Sequence, residues 1–170
     1  MRLISWIILP LALLASGAGP ANDPVPTVTL RSVRQLPRPL PTPYDAARDA
    51  RADVAAARKR ARRTHKLLLI DFGANWCADC RVLAGVLDLP ELRGWTTRHF
   101  EIVQVDVGEF DANLDIAPRY GLARLRAISA VLVVDPKSGK LLNKGEELAL
   151  GDARIMRPQA IADWLGKWTR

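Results

Sequence analysis

Cys77 and Cys80 are the only two cysteines among 170 residues, and they stand three positions apart. A thiolate at the first position can attack a disulfide sulfur, and the second sulfur can resolve the mixed disulfide by attacking the first. Alternatively, the pair can supply half of a tetrahedral zinc site, which needs two further ligands, commonly Cys or His. The remaining candidates of that kind, His65 and His99, are not spaced as a zinc pair. No metal is therefore expected, and both histidines are read as surface or packing residues. A purely structural crosslink fits poorly. Small secreted domains held by disulfides usually carry four or more cysteines, and closing so short a loop removes little entropy from the unfolded chain.

Exchange chemistry needs one sulfur held as an anion, and the elements around the pair supply the means. Residues 66–72 read K-L-L-L-I-D-F, a short apolar run of the kind that forms a strand buried on both faces. Gly73 to Trp76 make a loop, and a helix is expected from Cys77 to about Leu87. Unpaired N–H groups and the positive dipole end at the start of that helix stabilise a Cys77 thiolate. Cys80 lies one turn further in.

The other expected elements frame this site. They are a helix from Tyr44 to about Arg63, with Pro43 in its first turn, and a helix from Glu91 to Arg98 after a break at Pro90. A strand is expected over 101–107, a short helix over 111–120 capped by Gly121, and a strand over 130–135. A turn at 136–139 leads to a returning strand over 140–143, and a closing helix spans 158–168. Ile161, Trp164, Leu165 and Trp168 share one face of that last helix and are read as core. The order implies an α/β fold, with a central mixed sheet flanked by helices on both faces.

The N-terminus has the pattern of a secretory signal over 1–18: Arg2, an apolar run from Leu3 to Ala15, then small residues. An uncleaved membrane anchor is the alternative. The first reading places the protein in the periplasm or outside the cell. Residues 19–43 are proline-rich and read as an extended linker, with a short docking strand over 27–33. The domain is expected over 44–170. The net charge of +7 is not spread evenly: ten Lys and Arg face three Asp between residues 31 and 65, whereas 66–170 carries fourteen of each sign. A nucleic-acid-binding core is thereby disfavoured, since its basic patch would sit on the folded surface. The basic arm is either a solvated helix face or a contact for anionic lipid heads or an acidic partner.

The segment D-F-G-A-N-W-C-A-D-C over 71–80 resembles the active-site segment of the thioredoxin superfamily, and A-P-R-Y-G over 117–121 is similar to the family's segment before its third core strand. The likeness runs from about Lys66 to the C-terminus. With the preceding helix and signal, it resembles small periplasmic thioredoxin-like proteins, and more distantly the C-terminal domain of the transmembrane disulfide reductase. The resemblance implies a three-layer thioredoxin-like sandwich and a cofactor-free thiol–disulfide oxidoreductase acting on protein substrates. Its electrons would come from a membrane or periplasmic donor. Matched positions imply that Asp71 is a buried carboxylate accepting the proton of Cys80, although a solvent-exposed strand-end Asp is the alternative. They imply that Trp76 shapes access, and that Ile128 and Ser129 meet the substrate.

Two departures from the family pattern stand out. Ser129 occupies the position of the family's cis-proline, and a cis bond before a non-proline residue costs about 3 kcal/mol, so a trans bond is expected there. Asp79 lies between the cysteines, where its charge disfavours the Cys77 thiolate. Arg81 is expected to oppose that charge in part, and the balance suggests a reducing couple. A thioredoxin-fold adaptor or metal-handling binding protein with little turnover is the alternative function, kept open by Ser129.

Overall fold

The computed structural model describes residues 23–169; the expected signal segment lies outside them. Three strands form one sheet in the order β2-β1-β3. The apolar run becomes the central strand β1 (Leu67–Gly73), buried along nearly its whole length. It pairs in parallel with β2 (Phe100–Asp106) and antiparallel with β3 (Ala130–Val134).

Strand alternation sorts the side chains of β1 between two cores. Leu68, Ile70 and Phe72 pack with Val54, Ala57 and Ala61 of α1 (Ala50–Thr64). Leu69 packs on the opposite face with α2 (Ala78–Leu87), α3 (Pro90–His99) and α4 (Pro158–Gly166). Asp71 has the parity of Leu69, so alternation directs it toward the α2 side, away from α1.

Helix α1 begins at Ala50, six residues later than the sequence suggests. The Asp49 carboxylate accepts a hydrogen bond from the Ala52 N–H at 3.0 Å, a local cap that outcompetes the weaker start signal of Pro43. Residues 111–120 form turns with a single 3₁₀ turn over Ala117–Tyr120. Phe110 and Asn113 adopt left-handed backbone there, and an α-helix cannot run through that geometry. Gly121, with φ of 82°, closes the turn. The returning strand over 140–143 is reduced to one bridge, Val134 to Leu141. The buried Asn143 side chain replaces the missing ladder: its amide donates to the Val131 carbonyl at 2.7 Å and its carbonyl accepts from the Val133 N–H at 2.8 Å.

The proline-rich segment is extended but lies against the domain. Val28, Val33, Leu36 and Leu40 are buried in the core shared with α2 and α4. No strand forms over 27–33; the Val28 N–H donates instead to the Gln159 side chain of α4 at 2.7 Å. In α4, Ile161, Trp164 and Leu165 are buried, and Trp168 packs against the same core from beyond the helix end. Among the described residues no helix is long and apolar enough to cross a membrane.

Candidate active site

Cys77 sits where β1 hands over to α2, as the N-cap of that helix. Its sulfur accepts a hydrogen bond from the Cys80 N–H at 3.2 Å. The two sulfurs are joined in a disulfide, with Cα atoms 5.3 Å apart. Cys80 is fully enclosed, whereas Cys77 keeps a small exposed surface, 7%. Of the two, Cys77 is therefore the less enclosed. The same backbone N–H that bonds the Cys77 sulfur would stabilise its thiolate.

Asp71 is fully buried. Burial pushes its carboxyl up to about 7, against the opposing pull of two hydroxyls. The Tyr44 hydroxyl donates to Oδ2 at 2.9 Å, and the Ser129 hydroxyl makes a longer contact with Oδ1 at 3.4 Å. An exposed strand-end Asp is thus excluded, as strand parity requires. The Tyr44 phenol is itself held well above its usual range, first by burial and then by the neighbouring Asp71 charge.

Trp76 is half exposed beside the disulfide, anchored by its indole N–H to the Gly108 carbonyl at 3.1 Å. Ile128 packs against the cluster of Tyr44, Cys77 and Cys80, and Ser129 is buried. Ile128 thus packs on the cluster that holds the pair, and Asp71 and Ser129 connect to that cluster through the Tyr44 hydroxyl. One expectation fails, and one charge finds an unexpected partner. The Ile128–Ser129 peptide is cis; the trans expectation weighs only the intrinsic preference of the bond, while the buried Ser129 side chain is fixed by its contact with Asp71. Arg81 does not pair with Asp79. Its guanidinium donates to the Leu40 and Pro41 carbonyls, at 2.9 and 3.1 Å. The Asp79 carboxylate is paired instead with Arg154, through the backbone N–H and Nε, both at 2.9 Å. A long-range partner of this kind is invisible to a reading that searches neighbours in sequence.

Tyr44 is the site residue that sequence reasoning misses, since the local pattern places it at a helix start. Its backbone is clamped by Asn75, which accepts from the Tyr44 N–H at 3.2 Å and donates to the Tyr44 carbonyl at 2.6 Å. Its ring lies over Gly73, where a Cβ would come within 2.7 Å of Cε1. The only available signal is a glycine at the strand end with an Asn two residues later, and it names no partner. The histidines lie apart from the redox pair: His65 caps α1, and His99 contacts Asp23 at 3.1 Å. Among the described residues no cluster of three or more metal-ligating side chains occurs.

A family profile described as thioredoxin-like matches residues 49–136. The chain belongs to the thioredoxin-like family. A crystal structure of a disulphide isomerase from Xylella fastidiosa Temecula1 is 42% identical, covering 77% of this chain and 99% of that one, with a TM-score of 0.69. The oxidised C-terminal domain of DsbD from Neisseria meningitidis is 23% identical over 72% of this chain and 97% of that one, with a TM-score of 0.48. Thioredoxin-2 of Pyricularia oryzae is 35% identical over 66 residues, 38% of this chain. The match spans about a third of that curated relative's length, 34%. Within this thioredoxin-like framework, the disulfide-bonded pair at a helix start is a thiol–disulfide oxidoreductase centre.

Proposed function

We propose that this protein exchanges disulfides with protein substrates in the periplasm or outside the cell, and that it works mainly as a reductant. The observation that carries the reading is the Cys77–Cys80 pair itself, with Cys77 slightly exposed at a helix N-terminus and its neighbour enclosed. Cys77 attacks a substrate disulfide as the thiolate, forming a mixed disulfide and releasing one substrate sulfur. Cys80 then attacks Cys77, its proton passing to Asp71, and the second substrate sulfur departs as a thiolate that solvent protonates. A carboxyl near neutrality suits that transfer. The exposed Trp76, and Ile128 packed against the pair, are assigned to substrate contact, whereas the enclosed Ser129 meets Asp71.

The Arg154 partner of Asp79 takes over the compensating role expected of Arg81, so the reducing direction rests on the buried base serving the resolving cysteine. A membrane or periplasmic donor would return electrons to the pair. Isomerisation is a second reading, favoured by the isomerase name of the 42% identical relative. Reduction of insulin by the wild type, lost in Cys77→Ser, supports the enzyme; Cys80→Ser should accumulate mixed disulfides that can be trapped from extract and identified. Reactivation of scrambled ribonuclease without net reduction would favour isomerisation. Activity that survives Cys77→Ser would overturn both readings.

A further inference from the structure

The redox reaction as written uses the sulfurs and Asp71 but leaves Tyr44 without a task. This side chain comes from the segment before α1, distant in sequence from the strand and helix that form the rest of the centre. It is buried, it packs in one cluster with Cys77 and Cys80, and its hydroxyl reaches Asp71. Three independent features hold it there. Asn75 clamps its backbone with two hydrogen bonds. Gly73 leaves the space its ring fills. Arg81, on the helix that carries the cysteines, ties down Leu40 and Pro41 just upstream.

We propose that Tyr44 is a positioning residue for the redox reaction: its hydroxyl holds Asp71 Oδ2 and leaves Oδ1 to take the proton of Cys80. The proposal rests on Asp71 serving as the base. The two carboxylate oxygens are unequally occupied. Oδ2 accepts a 2.9 Å bond from a phenol that keeps its proton, whereas among the described residues Oδ1 has only the 3.4 Å contact with Ser129. The groups facing the carboxyl are these two hydroxyls; Asp106, at the end of β2, adds a negative charge near Tyr44. In the reaction the Cys80 S–H bond breaks and its proton joins Oδ1. The Cys80 sulfur bonds to Cys77 as the bond from Cys77 to substrate breaks, and the electron pair leaves with the substrate sulfur. The protein dithiol is oxidised and the substrate disulfide is reduced.

A hydrogen bond to the charged form favours that form. Removing the Tyr44 hydroxyl should therefore make Asp71 harder to ionise, and strengthening that hydroxyl as a donor should make it easier. The resolving step can be followed directly as release of a nitrothiobenzoate from a mixed disulfide at Cys77, measured by stopped flow across pH. Tyr44→Phe is expected to raise the near-neutral inflection by about one pH unit, the size of one charge-assisted bond. Release at pH 7 should slow about fivefold, with the difference closing above pH 9. Ring-fluorinated tyrosine, incorporated in a Tyr120→Phe background so that only Tyr44 carries it, should move the inflection the opposite way. A residue that merely fills space would not give shifts of opposite sign.

If Asp71→Asn abolishes the inflection while Tyr44→Phe leaves it in place, Asp71 is the base and the role given to Tyr44 is wrong. If Asp71→Asn leaves the profile unchanged, the base itself is misassigned, and the positioning role falls with it. Should Tyr44→Phe fail to fold, the fluorinated protein decides: an unmoved inflection overturns the proposal.

Discussion

Replacing Asp71 by Asn should make the oxidised protein more stable at pH 8 and leave it little changed at pH 4. Proton linkage sets the sign. Burial raises the Asp71 carboxyl from its ordinary value of 3.8 to about 7. Between those values the native state holds a proton that the unfolded state has released, so stability falls as pH rises. The stability tied to this proton is fully present below about pH 4, declines through the window from 4 to 7, and is gone above it. A shift of about three units, at 1.36 kcal/mol per unit, corresponds to about 4 kcal/mol. Relaxation around the site makes that an upper figure. The substituted amide cannot ionise and carries no such loss, so the advantage of Asp71→Asn should grow with pH toward about 3 kcal/mol at pH 8, or roughly 6–12 °C in Tm for a domain of this size. The assay is denaturant unfolding of the oxidised forms of both proteins at intervals from pH 4 to 8, so that neither thiol titrates. Asp23, Asp53, Asp115 and Glu146 are held below their usual range by their cationic partners and lose stability as pH falls, but they are common to both proteins and cancel in the difference. Parallel pH–stability curves would refute the reasoning, because they would mean that Asp71 ionises as readily in the native state as in the unfolded one.

Other predictions follow from single contacts. Gly73→Ala would drive a methyl group into the Tyr44 ring; it should cost about 1–3 kcal/mol in chemical denaturation and slow resolution of the mixed disulfide. Asn143→Ala should cost about 2–4 kcal/mol, because it strips the partners from a buried N–H and carbonyl of β3, while far-UV circular dichroism stays native. Arg154→Ala removes the guanidinium that offsets the Asp79 charge beside the redox pair and leaves only the backbone N–H bond. Alkylation of reduced Cys77 at pH 7 should then slow about two- to threefold, with little change in thermal stability.

The redox centre was legible because its chemistry is concentrated in ten consecutive residues, where strand, loop and helix start are all encoded locally. The three strands and α2 through α4 were also legible, since apolar runs and helical spacing report burial directly. What escaped depends on contacts made across the chain. Asp79 finds Arg154, 75 residues away, and Arg81 finds the carbonyls of Leu40 and Pro41. The expected strand over 140–143 dissolved because one Asn side chain satisfies the groups a ladder would have satisfied. Proline content correctly suggested extended backbone before α1, but it carried no information about which side chains of that segment are buried. Tyr44 is the most consequential case. Nothing in its local sequence distinguishes a residue at the start of a helix from one that reaches across to a strand.

Among the described residues, the first to anchor the segment before α1 is Asp23. Its carboxylate meets Arg98 and His99, its carbonyl accepts from Trp95, and the neighbouring Val25 fills the space above Gly166. A truncation that passed Asp23 would therefore cut into the folded body instead of trimming a tail. Losing residues 23–28 would unpair Arg98 and bare the surfaces of α3 and α4 that those residues cover.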